Sequence, residues 1–549
     1  MKDLIMKYVL QNAIFYEGKA NPNAILGKIL GSEPALRKNP DKVRKEIEEV
    51  AKKVNSMDLA KQKEELKKID PEMLVKEEKE QEELPPLKGA VEGKVVTRFA
   101  PSPTGPLMIY HLLRAVYLNY LYAQKYNGKF IVRIEDTDPG NIKREFYEWI
   151  KEDLKNSGVK WDELFHQSDH MDLYYKNAEK LIQKNDVYAC FCNPDQFKKL
   201  KNKKMNCPCR DEGKTKFHWD KAVRGDYAEG EMIFRLKTSM QDPNPAIRDP
   251  ALFRINKKHH PFKTIKYKLW PLYNFANTID DHEMGVTHVF RGKEHEHNTT
   301  IQKMIYEKLG WKMPFVINFG MIYLPGVKLH TRDIKQMIAE EKFTGWDDVR
   351  LPTIRSIIRR GFQPEAIREL AISSGLTKTD INVSWEKFET LNRKIIDKKA
   401  NRYMVVKSPV RLVIKDAPSM NQVREKIHPE SEKTRIIPVN LKEIYIEKED
   451  YIRLKDRDFR LKGLGNIRVT GKTGRYLGNE IYKDMHKIQW VSKPHAEVII
   501  LKGDDVIHGI GEPGLKKLHP GQIIQMERIG FGKVDARTDN EIVIIFAHR

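Results

Sequence analysis

The sequence predicts a multidomain α/β protein: a parallel-sheet domain interrupted by an insertion, preceded by a helical domain and followed by antiparallel β-barrels. Three observations predict this. Two β-branched runs, KVVTRFA (Lys94–Ala100) and KFIVRIE (Lys129–Glu135), flank HLLRAVYLNYLYAQKY, which is long enough for about four helical turns and is closed by Asn127-Gly128. Strand, helix and strand in that order make a βαβ unit, which requires parallel strands and a right-handed crossover. A highly charged stretch ending in Pro85-Pro86 precedes it, and beyond Asn401 the chain turns to short β-rich runs between Gly and Asp turns.

Taken in order, the first segment is helical. Val43, Ile47, Val50, Ala51 and Val54 recur at the spacing of one helix face, with Lys and Glu between them. The charged run and its proline pair have little to bury and stop a helix, so residues 1–88 form a helical domain with its linker. Residues 89–185 hold the βαβ unit, the first half of a Rossmann-like domain. Residues 186–261 break the pattern with Cys, Pro and Gly and read as an insertion. Residues 262–311 resume parallel-type segments, in YKLWPLYNFANTIDD and THVFRGKEHEH. Residues 312–400 read as mostly helical, and 401–549 as one or two barrels.

Composition narrows the function. Lys and Arg number 99 against 77 Asp and Glu, a formal charge of +22, so a polyanion is an expected partner. Lys- and Glu-rich heat-adapted proteins offer the alternative source of such charge. No run approaches ~18 apolar residues, which argues against a membrane span. The N-terminus, MKDLIMKYVLQNAIF, has no small-residue cleavage site, so a cytoplasmic location is expected.

Four cysteines in 549 residues cannot make a disulfide scaffold. All four fall in one segment, as Cys190-Phe-Cys192 and Cys207-Pro-Cys209. Two such pairs suit a tetrahedral structural Zn²⁺ site; four reduced thiols are the alternative.

The chemistry is concentrated at the strand ends. RFAPSPTGPLMIYH delivers the chain through two prolines and a glycine to a helix N-terminus, where free N–H groups can hold an anion. RIEDTDP follows the next strand. Arg98 with Glu135 and Asp138 then sets opposite charges in one crevice, which suits a zwitterion such as an amino acid; an internal Arg–carboxylate pair is the alternative.

RFAPSPTGPL, RIEDTDP, LYNFANTIDDHEMGVTHVFRGKEH and GWDDVRLPTIRSIIRRGF resemble the catalytic blocks of glutamyl-tRNA synthetases of the archaeal type, close to glutaminyl-tRNA synthetases. NAIFYEGKANPNAILGKILG, RLKGLGNIRV and GQIIQMERIGF extend the resemblance to both ends. It implies a glutamate–tRNA ligase that activates glutamate with ATP and Mg²⁺ and passes it to tRNA(Glu), with tRNA(Gln) open as a second acceptor. A monomer is expected, with the insertion over the acceptor stem and anticodon contacts from the barrels. The resemblance implies that Arg98, Ala100, Ser102, Glu135, Tyr273, Asn277 and Arg291 bind the amino acid, Arg98 and Arg291 as paired clamps on its side-chain carboxylate. Gly105, Met108, Tyr110, His111, Asp138, Glu294, Lys328 and Leu329 are the expected ATP contacts, with His111, Lys328 and Arg332 acting on the reacting phosphate. The zinc site is supported in part, since some members carry a metal at this insertion.

Two stretches depart from the family pattern. Where it has His-Ile-Gly-His, this chain reads Met108-Ile109-Tyr110-His111, in a stretch one residue longer than usual. Where it has Lys-Met-Ser-Lys-Ser, this chain reads Lys328-Leu329-His330-Thr331-Arg332. The alternative function is therefore a tRNA-binding paralogue with weak or lost adenylate formation. KKLKNKK (Lys198–Lys204) and Arg359-Arg360 are candidate phosphate contacts, and His170, His259, His260 and His282 are expected to be structural.

Overall fold

A computed structural model describes residues 2–16, 18–33, 36, 39–74, 84–326 and 331–549. The chain divides into two compact units, Met1–Glu83 and Leu84–Arg549.

The first unit contains helices α1 (Lys2–Phe15), α2 (Pro22–Ser32), α3 (Pro40–Asn55) and α4 (Leu59–Ile69). Val43, Ile47, Ala51 and Val54 bury the predicted face of α3 against Ile5, Val9 and Leu66, as a 3.6-residue period requires. Asp58 caps α4 by accepting the Lys61 N–H at 2.8 Å. The buried Gln62 amide donates to the carbonyls of Gly18 and Val54, both at 2.9 Å.

The second unit opens with β1 (Val96–Phe99), a π-turn over His111–Val116 that runs into α5 (Tyr117–Lys125), β2 (Lys129–Ile134), α6 (Arg144–Asn156) and β3 (Glu163–His166). The three strands pair in parallel in the order β1-β2-β3. Gly128 is required where the helix turns into β2, because a Cβ there would lie 2.0 Å from the Val95 carbonyl oxygen. After α7 (Met171–Gln183) comes an antiparallel sheet of β4 (Val187–Cys190), β5 (Ile233–Leu236), β6 (Ala251–Ile255) and β7 (Leu269–Pro271), with α8 (Pro194–Asn202) and α9 (Thr215–Arg224) between β4 and β5. Next come α10 (Tyr273–Glu283), β8 (His288–Gly292), α11 (Glu296–Leu309) and β9 (Phe315–Phe319). β8 and β9 pair in parallel, and the Thr287 N–H donates to the Val96 carbonyl at 3.0 Å, which sets β8 beside β1. The βαβ expectation is met.

Two expectations change. LWP, expected among the parallel-type segments, is the last strand of the antiparallel sheet, so the inserted sheet runs to Pro271 rather than stopping at 261. Its core is continuous with α7, α10 and α11: Trp219, Phe234 and Trp270 pack with Tyr174, Phe275 and Ile305. FVINF, inside the region expected to be mostly helical, is the parallel strand β9, so the catalytic sheet continues beyond residue 311. Val316 and Ile317 are β-branched, and five residues are too few to carry a helical period.

Helices at Thr331–Ala339, Ile354–Arg359, Pro364–Ser373 and Trp385–Ile396 follow. Ile354, Ile357, Phe362 and Ile367 pack on Leu112, Val116 and Tyr117 in one core. Beyond Asn401 lie two seven-stranded sheets, mostly antiparallel as expected. Parallel pairs occur within them, such as Glu497–Leu501 with Glu541–Ile545, where strands distant in sequence lie side by side. Among the described residues no helix is long and apolar enough to cross a membrane.

Candidate active site

A cavity of about 400 Å³ opens at the carboxyl ends of β1, β2 and β8, where ligands bind in open α/β sheets. β1 places Arg98 on its wall, the residue after β2 is Glu135, and β8 supplies Arg291. Ala100 and Ser102 line it from the turn after β1, and Tyr273 from the start of α10. Gly105, Tyr110, His111 and Glu294 line the remaining wall with Thr331. At Gly105 a Cβ would sit 2.7 Å from the Thr331 methyl, so the bare backbone lets the two segments meet.

The charges are arranged unequally. Arg98, 4% exposed, donates from Nε to Asp281 Oδ1 at 3.0 Å and from Nη2 to Oδ2 at 3.4 Å. Asp281 also accepts from Arg133 Nη1 at 2.6 Å. Burial alone would raise the Asp281 pKa, but Arg98 and Arg133 hold it lowered. Burial would likewise lower that of Arg133, yet Asp281, Asp280 and Glu135 raise it. Glu135, whose pKa burial pushes up, accepts from Arg133 at 3.4 Å.

Arg291, 5% exposed, has no carboxylate within ion-pair distance among the described residues. Its Nη1 donates to Gln302 Oε1 at 2.9 Å and its Nη2 to Thr299 Oγ1 at 2.7 Å. Burial lowers its pKa, with the nearby Tyr273 hydroxyl opposing that shift.

Asn277 does not reach the cavity. It is wholly buried under Glu135, where its carbonyl accepts from Arg133 and its amide donates to the Tyr273 carbonyl at 3.1 Å. Asp138 turns away as well, pairing with Arg254 at 2.5 Å. The neighbouring Asp136 is the buried carboxylate of RIEDTDP, accepting from Ser168 and Tyr147 and facing His260 at 3.4 Å, so His260 is structural as expected. Met108 is buried among Ile334, Phe343 and Leu351, an apolar side chain drawn to an apolar cluster. Arg332 is exposed on its helix and Thr331 takes the cavity-facing place. Lys328 and Leu329 lie outside the described residues. Arg359 pairs with Asp535 at 2.7 Å and Asp347 at 3.2 Å, and Arg360 lies over the Phe362 and Trp385 rings. Those two arginines knit the fold instead of presenting free charge to phosphates, whereas Lys198, Lys199, Lys203 and Lys204 are exposed.

His111 accepts the Met108 N–H on Nδ1 at 3.1 Å, which leaves its ring proton on Nε2. Burial pushes its pKa from the ordinary 6.5 down to about 4. Between those values the unfolded chain takes up a proton that the folded one refuses, so this contribution to stability is full above about pH 6.5 and is lost as the pH falls toward 4, by up to about 1.4 kcal/mol per unit. His111→Gln, uncharged throughout, is expected to flatten that loss relative to the parent in urea melts at pH 4.5 and 7; parallel curves would refute it.

Sequence reasoning missed several cavity residues. His295 stacks on Tyr273 with ring centroids 5.4 Å apart, its Nδ1 3.0 Å from the Asn298 amide nitrogen. Arg114, 1% exposed, lines the inner wall and donates to the Gly375 carbonyl. His295 stands in the quoted FRGKEHEH block and could have been found there; Arg114 carries no local signal.

The four thiols converge in the insertion. Cys190 and Cys207 sulfurs are 3.7 Å apart, Cys192 and Cys207 3.6 Å, Cys192 and Cys209 4.0 Å, and all lie within 4.8 Å of one another. Tetrahedral zinc with bonds of ~2.3 Å needs sulfurs about 3.8 Å apart, so the donor set fits the metal in both chemistry and spacing.

A parallel sheet with a charged cavity at its strand ends, beside a helix N-terminus, has the ligand-binding arrangement of an open-sheet α/β protein. Residues 94–398 match the class I tRNA synthetase (E and Q) catalytic domain, and 400–487 and 482–535 match anticodon-binding domains of the same group. The chain belongs to the class I tRNA synthetases of the E and Q type. It is 42% identical to the glutamate–tRNA ligase of Pyrococcus furiosus over 100% of both chains. It is 43% identical to that of Pyrococcus abyssi, over 100% of this chain and 99% of the other. Identity to the Methanothermobacter marburgensis glutamate–tRNA ligase is 37%, again over 100% of both.

Proposed function

We propose that this chain is a cytoplasmic glutamate–tRNA ligase. An oxygen of the glutamate α-carboxylate attacks the α-phosphorus of ATP, a P–O bond forms, and pyrophosphate leaves to give glutamyl-adenylate. A ribose hydroxyl at the 3′ end of tRNA(Glu) then takes the acyl group, its proton is lost, and AMP is released. Neither step needs a protein nucleophile; catalysis is orientation plus stabilisation of charge on the phosphate. Arg291 and Arg98 hold the side-chain carboxylate, Glu135 accepts the ammonium, and Tyr273 walls the pocket. His111 presents its Nε2–H from the nucleotide side, and Mg²⁺ accompanies the ATP.

The observation that carries this reading is the buried Arg291 guanidinium, held by neutral partners and facing the cavity across from Glu135. A buried charge of this kind awaits an anion. The assembled amino-acid pocket and the full-length likeness to ligases favour the ligase over a paralogue that only binds tRNA. Glutamate-dependent exchange of labelled pyrophosphate into ATP tests it: exchange is expected, and its absence from well-folded protein would overturn the assignment.

The cysteine cluster is proposed to hold one structural Zn²⁺ through Cys190, Cys192, Cys207 and Cys209. Protein purified without chelator is expected to carry close to one zinc per chain by elemental analysis, and Cys207→Ser to lose it. Content below about half an equivalent removes the claim.

A further inference from the structure

Gln302 sits behind Arg291 in an arrangement that stability alone does not explain. The side chain is 3% exposed, its Oε1 accepts from Arg291 Nη1 at 2.9 Å, and its Nε2 has no partner among the described residues. A glutamate here would leave no stranded amide N–H and would pair with the guanidinium by a charge-assisted bond. The amide instead orients Arg291 without neutralising it. Thr299, one turn earlier on α11, does the same for Nη2 at 2.7 Å, and Arg291 Nε has no hydrogen-bond partner among the described residues. Arg98 shows the opposite choice, since Asp281 already balances its charge.

We propose that Gln302, with Thr299, is a specificity-determining positioning pair that fixes the Arg291 fork while leaving its charge for the substrate side chain to neutralise. The inference rests on the ligase reading and places the selection of glutamate over glutamine behind Arg291, on α11. A carboxylate substrate supplies the missing negative charge; a carboxamide leaves the buried guanidinium uncompensated.

The test compares Gln302→Glu with Gln302→Met, measuring kcat and KM for glutamate and for glutamine in pyrophosphate exchange, with glutamate binding measured separately by calorimetry. Q302E puts the competing carboxylate inside the protein. Its KM for glutamate is expected to rise about 30- to 100-fold, with the KM for ATP near the parental value and the preference over glutamine collapsing in proportion. Q302M keeps the site neutral and should raise the KM only a few-fold, with the preference kept. Equal losses in both variants, or a parental glutamate KM in Q302E, would overturn the proposal. A parent protein that binds glutamate but exchanges no pyrophosphate would overturn the ligase reading instead. If Q302E melts early, Thr299→Asp delivers the same charge to Nη2 and carries the same expectation.

Discussion

Asp281→Asn is expected to cost about 3–5 kcal/mol of folding stability, because it leaves two buried guanidinium groups without their shared carboxylate. Asp281 is 4% exposed and lies 3.0 Å from Arg98 Nε and 2.6 Å from Arg133 Nη1, so removing its charge takes the paired carboxylate from Arg98 and leaves Arg133 only the longer contacts to Glu135 at 3.4 Å and Asp280 at 3.7 Å. Asn keeps the shape and one acceptor, which separates loss of charge from loss of packing. The cost should appear as a shifted urea midpoint with an unchanged slope. Arg98 would also lose its anchor, so glutamate affinity should fall together with stability. A shift worth less than about 1 kcal/mol would mean that water reaches the pair and that this network is not buried in solution.

Arg291→Met is expected to have the largest effect on activity. It removes the uncompensated cation while keeping apolar bulk, and the glutamate carboxylate then meets only Arg98, whose charge Asp281 already offsets. Losing one partner of a buried charge pair costs about 2–5 kcal/mol, or roughly 30- to 5,000-fold in kcat/KM for glutamate. Glutamine should be far less affected, since its amide gains little from the guanidinium, so the ratio of the two is the informative readout. If glutamate and glutamine suffer alike, Arg291 serves the fold of the pocket and not the choice of substrate.

The parts of the site that were readable in the sequence are those lying within a few residues of a strand end. Arg98 and Glu135 sit on or beside β1 and β2 and follow from the strand ends, whereas Arg291, on β8, is legible only through the family resemblance. What failed was orientation within turns. In RIEDTDP the carboxylates at 136 and 138 are two residues apart, yet one is buried against Ser168 and the other pairs with Arg254, a choice made by groups far along the chain. Met108 follows the same logic, captured by Ile334 and Leu351 from the connecting region. The residues behind the pocket were invisible for a related reason. Gln302 and Asp281 read as ordinary helix positions, and only tertiary packing aims them at guanidinium groups. The strand β9 is hidden because FVINF is too short for periodicity to separate strand from helix.

The π-turn at His111–Val116 has a mechanical consequence. An α-helix advances about 100° per residue, so one added residue would rotate every side chain on one side of the addition relative to the other. A wider turn absorbs that residue locally. Here Leu112, Leu113 and Val116 stay in the core, and Leu118 and Tyr122 keep their seats one and two turns on. The wider winding is thus confined to residues 111–116 on the cavity side, and the helix beyond it keeps its own phase.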